Sequence, residues 1–426
     1  MEPSSKDDFT IIETFVGCGG SYIGFKNNGF KTIFVSDMWE ESLQTLKYNN
    51  KSLTTEQVIC EDIKDLVKRD ICLDFNIKKN ELDVLMGGVV CKGFSLAGVR
   101  NPFDQRNYLY VSQLQLVEQL KPKISIIENV PGMRTMKILA KSNLGPVSQK
   151  FNIELNDNVE NLCKEIDQTI IQLKNNTGKI ISINKKINAE GNTYENNEIK
   201  EQLLNEKQSL IQKRDVLNNS LEKYKYEVLE DIVARYNELG YKVHINKLMC
   251  TNYGGYTNRQ RLFIVAIRND IKTEWKWPEI THDDNNENLP NFLTVKDSFD
   301  LLDFNNINHP QNDSDNIPMN HKESTIEKFK NISFEKKSDG FSSRGSSNRL
   351  KLFRPAPTLV PGHSSFQIHP TEHRSITVRE GATITGFPID YKFFGSHSAR
   401  CMQIGNAIPF HLSNAIAKAV KNFLSQ

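Results

Sequence analysis

The sequence predicts an α/β fold: a doubly wound, mostly parallel sheet with a smaller loop-rich region and an inserted helical hairpin. Three observations carry this. Residues 9–150 alternate short apolar runs with amphipathic stretches, the rhythm of βαβ units. Residues 151–227 switch to an apolar repeat of every seventh residue. Residues 270–375 lose both patterns and scatter Pro, Asn, Ser and His.

Taken in order, the run from Thr10 to Val16 reads as a strand ending in a glycine-rich turn. Lys31–Val35, Leu82–Met86 and Lys123–Ile127 read as further strands, with a helix over Glu41–Tyr48 among the segments between them. Val159, Ile166, Leu173, Ile180 and Ile187 keep the seven-residue spacing, and Leu203, Leu210, Leu217 and Tyr224 repeat it. Leu162 and Ile183 take companion positions, but Thr169 and Asn176 weaken that row. Gly191-Asn192-Thr193 lies between the two runs as a turn. This predicts a coiled-coil-like hairpin projecting from the body. A helix from Tyr226 to Leu239, stopped by Gly240, and strands at Val243–Met249 and Leu262–Ile267 resume the α/β rhythm. Pro409–Leu424 reads as an amphipathic helix. The expected organisation is a first body segment at 1–150, the hairpin at 151–227, the body again at 228–272, a small domain at 273–393 and a returning segment at 394–426.

Composition narrows the function classes. The chain has 426 residues, enough for two or three domains. Lys plus Arg is 54 and Asp plus Glu is 52, so any basic surface must come from local clustering. No apolar run reaches the roughly 18 residues of a membrane span, and Met1–Asp8 lacks a secretory pattern. A cytoplasmic protein is expected. The seven cysteines are widely spaced with no C-x-x-C pair, which argues against a disulfide framework or a metal site.

The chemistry-bearing residues fall at strand ends, where open α/β sheets place their sites. Gly17, Gly19, Gly20 and Gly24 follow the first strand. Glycines there let a ligand approach the backbone, but Tyr22 occupies the third glycine position of a dinucleotide fingerprint, which counts against NAD. Asp37 ends the second strand, where it either accepts from ribose hydroxyls or caps the next helix. Asp62 is either placed to meet an adenine amino group or is a solvated loop acid. Cys91 sits in a glycine-flanked loop beside Lys92, whose cation favours a thiolate; a lone cysteine is otherwise a small buried hydrophobe. Glu128 ends a buried apolar run. Burial raises a carboxyl pKa, so a protonated Glu128 can donate to a ring nitrogen.

Cys91 and Glu128, with a glycine loop unlike that of NAD enzymes, together resemble the cytosine-C5 DNA methyltransferase family. Asn258-Arg259-Gln260-Arg261 is similar to its Q-x-R-x-R segment. Arg374–Glu380 with Gly386-Phe387-Pro388 resembles R-x-L-T-x-R-E…G-F-P, and Gln403–Pro409 resembles Q-I-G-N-A-V-P. The resemblance spans about 9–150, 226–268 and 355–426. It implies the Rossmann-like S-adenosylmethionine methyltransferase fold and methyl transfer to carbon 5 of a flipped-out cytosine in a short duplex DNA sequence, leaving S-adenosylhomocysteine, with no metal. Phe15, Gly17, Gly19 and Gly20 would lie against the cofactor, Asp37 would hold its ribose, Met38 would pack on its adenine, and Asp62 and Ile63 would contact the adenine. Asn406 would close that pocket. Cys91 would attack carbon 6, Glu128 would hold N3 and the exocyclic amine, Arg261 would hold O2 and Arg259 would support it. Residues 92–106 would close over the base, with Lys92, Ser95, Arg100 and Arg106 near DNA. The small domain would read sequence through Ser342, Ser343, Arg344, Ser346, Ser347, Asn348 and Arg349. The expected partners are double-stranded DNA and a cognate restriction endonuclease, a functional and not necessarily physical partner, for a monomeric, nucleoid-associated prokaryotic enzyme. One branch of the family methylates transfer RNA, and an inactive DNA-binding protein on the same scaffold is the other alternative.

Two departures stand out. The family has Pro-Pro before the catalytic cysteine and usually Gln after it; here stand Val89, Val90 and Lys92. Thr257 replaces the first Gln of Q-x-R-x-R. The valines restrict the backbone less than prolines, so a slower nucleophile is expected.

Overall fold

The structure is a computed structural model that describes residues 9–89, 105–139, 157–191, 193–302, 313–334, 348–359 and 366–426. The amino-terminal half carries β1 (Thr10–Thr14), α1 (Gly20–Asn27), β2 (Lys31–Asp37), α2 (Glu40–Asn49), β3 (Val58–Cys60), α3 (Ile63–Leu66), α4 (Ile71–Asp74), β4 (Val84–Gly87), α5 (Leu109–Leu120), β5 (Ile124–Asn129) and β6 (Lys137–Leu139). Then come α6 (Asp157–Glu190), α7 (Tyr194–Ser220), β7 (Lys225–Glu227), α8 (Val228–Glu238), β8 (Tyr241–Met249) and β9 (Gln260–Arg268). Helices α9 (Val295–Asp300), α10 (Glu323–Lys330), α11 (Val378–Thr385), α12 (His397–Asn406) and α13 (Phe410–Leu424) complete the described elements.

Seven strands form one sheet in the order β3-β2-β1-β4-β5-β9-β8. The first five are parallel, and β9 runs antiparallel to both β5 and β8. Strands β4 and β5 and most of β9 are buried throughout, as the near-continuous Val/Ile/Leu runs require of a sheet covered on both faces. The chain winds from β1 outward to β3 and returns to β4 on the other side. This puts a topological switch point between β1 and β4, the position where doubly wound sheets open a ligand crevice.

The carboxy-terminal segment locks onto this body. Helix α13 lies along α1, and Ser413 Oγ donates to Gly20 O at 2.8 Å. A Cβ at Gly20 would collide with Ile408 O, and one at Gly24 with Ser413, so both glycines are required by close backbone approach.

The hairpin forms as α6 and α7, 34 and 27 residues long. Its polar interruptions are buried and hydrogen-bonded. Asn176 Nδ2 donates to Glu206 Oε2 across the pair at 2.7 Å, and Thr169 Oγ1 bonds back to Glu165 O. The predicted helix at Tyr226 starts two residues later: Tyr226 instead pairs with Ile138 in a two-stranded ribbon, β6–β7, that closes the hairpin base. Tyr224 lies in a 3₁₀ turn rather than in α7, still packed in the basal cluster of Leu139, Val159, Ile166, Leu217 and Leu221.

Candidate active site

Three strand ends converge at the switch point. A Cβ at Gly87, which ends β4, would stand 2.6 Å from the amide of Gln113, a fully buried residue of α5. Thr14 Oγ1, at the end of β1, donates to Gln113 Oε1 at 2.6 Å. One buried amide therefore ties the strand before the glycine loop to the strand before the cysteine loop. A Cβ on Gly88 would lie 3.4 Å from Phe15 O and 3.7 Å from Glu128 Oε2, so this glycine is flanked by both neighbouring strand ends.

Glu128 is buried, and Arg261 Nε stands 2.6 Å from its Oε1. That oxygen receives no aligned hydrogen bond among the described residues. Desolvation pushes the Glu128 carboxyl above its ordinary range, against the opposing pull of the Arg261 and Arg259 charges. Both arginines are themselves buried. They are positioned by a clamped loop: Cys250 N donates to Arg259 O, Asn258 N to Ala356 O, and Thr257 Oγ1 to Pro357 O. Thr257 thus anchors this loop to the small region.

Asn129, one residue beyond Glu128, carries no motif in the sequence. Its Nδ2 donates to Val89 O at 3.0 Å and its Oδ1 accepts from Val130 N. A side-chain hydrogen bond thereby fixes the strap that two prolines would otherwise stiffen. Cys91 itself lies outside the described residues, as do Val90, Lys92, Ser95, Arg100, Ser342, Ser343, Arg344, Ser346 and Ser347.

On the β1–β3 side the glycine loop is strongly bent. Phe15, Gly17 and Gly19 have φ of 53°, 56° and 98°. Left-handed backbone at the non-glycine Phe15 stores strain of a kind that concentrates at binding sites. Asp37 serves the loop directly: Oδ2 accepts from Gly17 N and Oδ1 from Trp39 N, both at 2.9 Å. Glu61 N donates to Asp37 O, which brings Asp62 and the buried Ile63 alongside. Asp62 caps α3 through Lys64 N. Met38 lies 66% exposed beside Asp37, an apolar surface open to a ligand. Asn406 is exposed at the end of α12, and its neighbour Ala407 reaches Gly20. Bent glycine backbone, a tethered carboxyl with spare lone pairs and an open thioether face fit an adenosine-bearing cofactor.

The family-like carboxy-terminal motif has a structural use. Arg374 grips Glu380 bidentately at 2.8 Å, Glu380 also completes a capping box with Thr377, and Arg379 pairs with Asp313. In the small region, one expectation is corrected. Arg349 is buried, and its guanidinium donates to the carbonyls of Ile332, His369, Glu372 and Phe329 and meets His373 Nδ1. Its five N–H groups are spent on loop carbonyls and a ring nitrogen, so it holds the small region together and has no donor left for a base edge. Asn348 is half-buried and its carbonyl accepts from Ile368 N, while Arg106 is exposed just after the cysteine loop. A cavity of about 380 Å³ lined by Lys242, His244, Arg268 and Trp275 opens at the opposite edge of the sheet, away from Glu128.

Comparison with known proteins decides what this geometry belongs to. The model of the C-5 cytosine-specific DNA methylase family matches residues 9–152 and 216–422. The chain belongs to that family. It is a DNA cytosine-5-methyltransferase. It is 24% identical to the Type II methyltransferase M.DdeI of Desulfomicrobium norvegicum, over 96% of this chain and 88% of that protein. It is 25% identical to the Type II methyltransferase M.Sau96I of Staphylococcus aureus, over 98% of this chain and 77% of that protein. The fold is shared with an E. coli prophage-encoded protein described as a DNA modification methyltransferase, at 19% identity and a TM-score of 0.60, covering 98% and 100% of the two chains. The family match omits most of the α6–α7 hairpin, which is an addition to the methyltransferase body.

Among the described residues no group of acids, histidines and cysteines is arranged to hold a metal, and no helix is long and apolar enough to cross a membrane.

Proposed function

We propose that this methyltransferase modifies one short duplex sequence through a covalent bond between Cys91 and carbon 6 of a flipped-out cytosine, as the modification half of a restriction–modification pair. The observation that carries the reading is the buried Glu128–Arg261 pair at the switch point, beside Gly88 of the cysteine loop. The Type II relatives support the restriction–modification setting.

In this mechanism Phe15, Gly17, Gly19, Gly20, Asp37, Met38, Asp62, Ile63 and Asn406 hold S-adenosylmethionine, which supplies an electrophilic methyl group. Cys91, as thiolate, adds to carbon 6 and makes carbon 5 electron-rich. Glu128, whose carboxyl burial biases toward the protonated form, donates to N3 as negative charge builds on the ring. Arg261 donates to O2, and Arg259 supports it electrostatically. Carbon 5 takes the methyl group, then loses its proton to a base as the Cys91–C6 bond breaks and the thiolate is regenerated. A stacked base is out of reach of these groups, so the cytosine leaves the duplex, at a cost of a few kcal/mol. Lys92, Ser95, Arg100, Arg106, Arg344 and Asn348 are the candidate DNA contacts.

The test is bisulfite sequencing of a host without cytosine methylation after expression of the chain. Protected cytosines confined to one short sequence, and absent with Cys91→Ala, are expected. Protection that survives in Cys91→Ala would remove the covalent mechanism, and modification of transfer RNA alone would move the substrate.

A further inference from the structure

We propose that the outward face of the distal half of α6 is a phosphate-binding surface for duplex DNA flanking the methylated site. This rests on the reading of the protein as a DNA methyltransferase and extends it to a segment that the family match omits.

Three observations meet here. The first is charge. Residues 168–189 contain Lys174, Lys179, Lys185 and Lys186 and no acid. The facing stretch of α7, 194–206, carries Glu195, Glu198, Glu201 and Glu206 against the single Lys200. The distal part of the hairpin is thus basic along its α6 stretch and acidic along its α7 stretch. Among the described residues, Lys174, Lys179 and Lys185 are exposed and make no ion pair, whereas nearer the base Lys213 pairs with Glu165 at 2.9 Å. Unpaired cations are free to replace the counterions of a phosphate backbone.

The second is facing. At about 100° per residue, Lys174, Gly178, Ile181 and Lys185 form one stripe, opposite the buried Asn176, Ile180 and Ile183. Exposed Asn175 and Ser182 flank this stripe and add neutral donors of the kind that contact phosphates. Lys179 is exposed further round the helix, between this stripe and the seam with α7.

The third is location. Strand β6 follows the Glu128 strand after one short turn, so the hairpin leaves the body at the edge of the sheet where the site lies. Its base is tied to the segment that emerges from the cysteine loop: Tyr108 Oη donates to Leu139 O, and Leu139 belongs to the basal cluster. A duplex delivering a base to Glu128 passes beside this base. The helix then extends for about 50 Å at 1.5 Å per residue, long enough to follow the flank for more than one helical turn.

The test compares the wild type with the combined Lys174→Glu, Lys179→Glu, Lys185→Glu variant and its Lys→Gln counterpart. Binding to random-sequence duplexes of about 14 and about 50 base pairs is followed by fluorescence anisotropy over a range of NaCl. On the long duplex the Glu variant is expected to bind about five-fold or more weakly, with the Gln variant intermediate. The slope of log affinity against log salt is expected to flatten by about 2–3, near 0.9 for each phosphate no longer neutralised. On the short duplex all three should agree. Methyl transfer to saturating plasmid DNA should also agree, which reports an intact fold. If no version transfers methyl groups, the catalytic reading fails while the binding comparison still decides this one. Equal long-duplex affinity and salt slope in all three proteins would overturn the proposal and leave the face to a protein partner. An equal weakening on the short duplex would overturn it as well, by showing an effect on the body rather than on the flank.

Discussion

Glu128 and Asn129 are consecutive residues with opposite duties. Glu128 presents its carboxyl to Arg261; Asn129 spends its amide on Val89 O and the next backbone N–H. Val89 and Val90 stand before Cys91, and the Asn129 hydrogen bond fixes the carbonyl of the first of them. Asn129→Ala is expected to lower turnover about ten-fold or more while leaving cofactor affinity unchanged, since only the strap before Cys91 is untethered. Equilibrium dialysis with labelled cofactor, beside single-turnover kinetics, separates the two. Glu13 is a second buried acid, in β1, and neither of its oxygens has an aligned hydrogen bond among the described residues. Burial pushes its pKa up to about 7, with Ser21 opposing. A raised acid pKa means the native state holds the proton longer than the unfolded chain. Its stability contribution is therefore full at low pH and is lost as pH rises from about 4.5 toward 7. Glu13→Gln should remove that slope and stabilise the protein above neutrality by about 3 kcal/mol, read as the difference between urea midpoints near pH 5 and near pH 8.

At the scale of elements, stability depends on how the carboxy-terminal helices reach the first βα turn. Gly20→Ala would drive a methyl group into Ile408 O. It should cost about 1–3 kcal/mol and weaken cofactor binding together with stability, because the glycine loop and α13 move as one. Calorimetry with and without S-adenosylmethionine checks both. Helix α11 depends on Glu380, whose pKa is held down at about 2 although burial raises it; the Arg374 and His369 contacts outweigh that desolvation. The sign is the reverse of Glu13. This stability is present above the unfolded carboxyl range and is lost as pH falls toward 2. Glu380→Gln should cost about 3 kcal/mol near neutrality, and its deficit should shrink steadily below about pH 4 in acid titrations of unfolding. The hairpin is the opposite kind of element. Its packing against the body ends at the Leu139–Tyr224 cluster, so replacing 174–208 by a tight turn should leave the melting temperature of the body within a few degrees.

For the whole molecule, the determining feature is the return of the chain from β3 to β4 across β1. That reversal brings a glycine loop, the strand end before Cys91 and a buried carboxyl to one edge, from positions about a hundred residues apart. The arginines arrive from further still, Arg259 just before β9 and Arg261 on it, and the antiparallel entry of β9 places its start beside the end of β5. Their loop is then held by Ala356 of the small region. Thr257→Val removes the hydroxyl that bonds Pro357 O. It is expected to raise KM for DNA and lower turnover together by a few-fold, since one hydrogen bond of about 1 kcal/mol is removed at the joint; steady-state kinetics on plasmid DNA checks this.

The sequence by itself determined the βαβ rhythm, the hairpin and the strand-end positions of Asp37 and Glu128, because burial periodicity and turn residues are local signals. Through the order of its motifs it also determined the family. Tertiary structure alone decided which polar residues are satisfied by whom. Arg349 has the sequence context of a base reader and is an internal brace, since nothing local tells an arginine surrounded by solvent from one surrounded by carbonyls. Asn176 reads as a flaw in a heptad and is paired with Glu206, thirty residues away. Gln113 and Asn129 are given no role by their local sequence, yet one bonds Thr14 before the glycine loop and the other bonds Val89 O before Cys91. A hydrogen bond between distant segments depends on the three-dimensional meeting of both partners, and a single chain read in order records only one partner at a time.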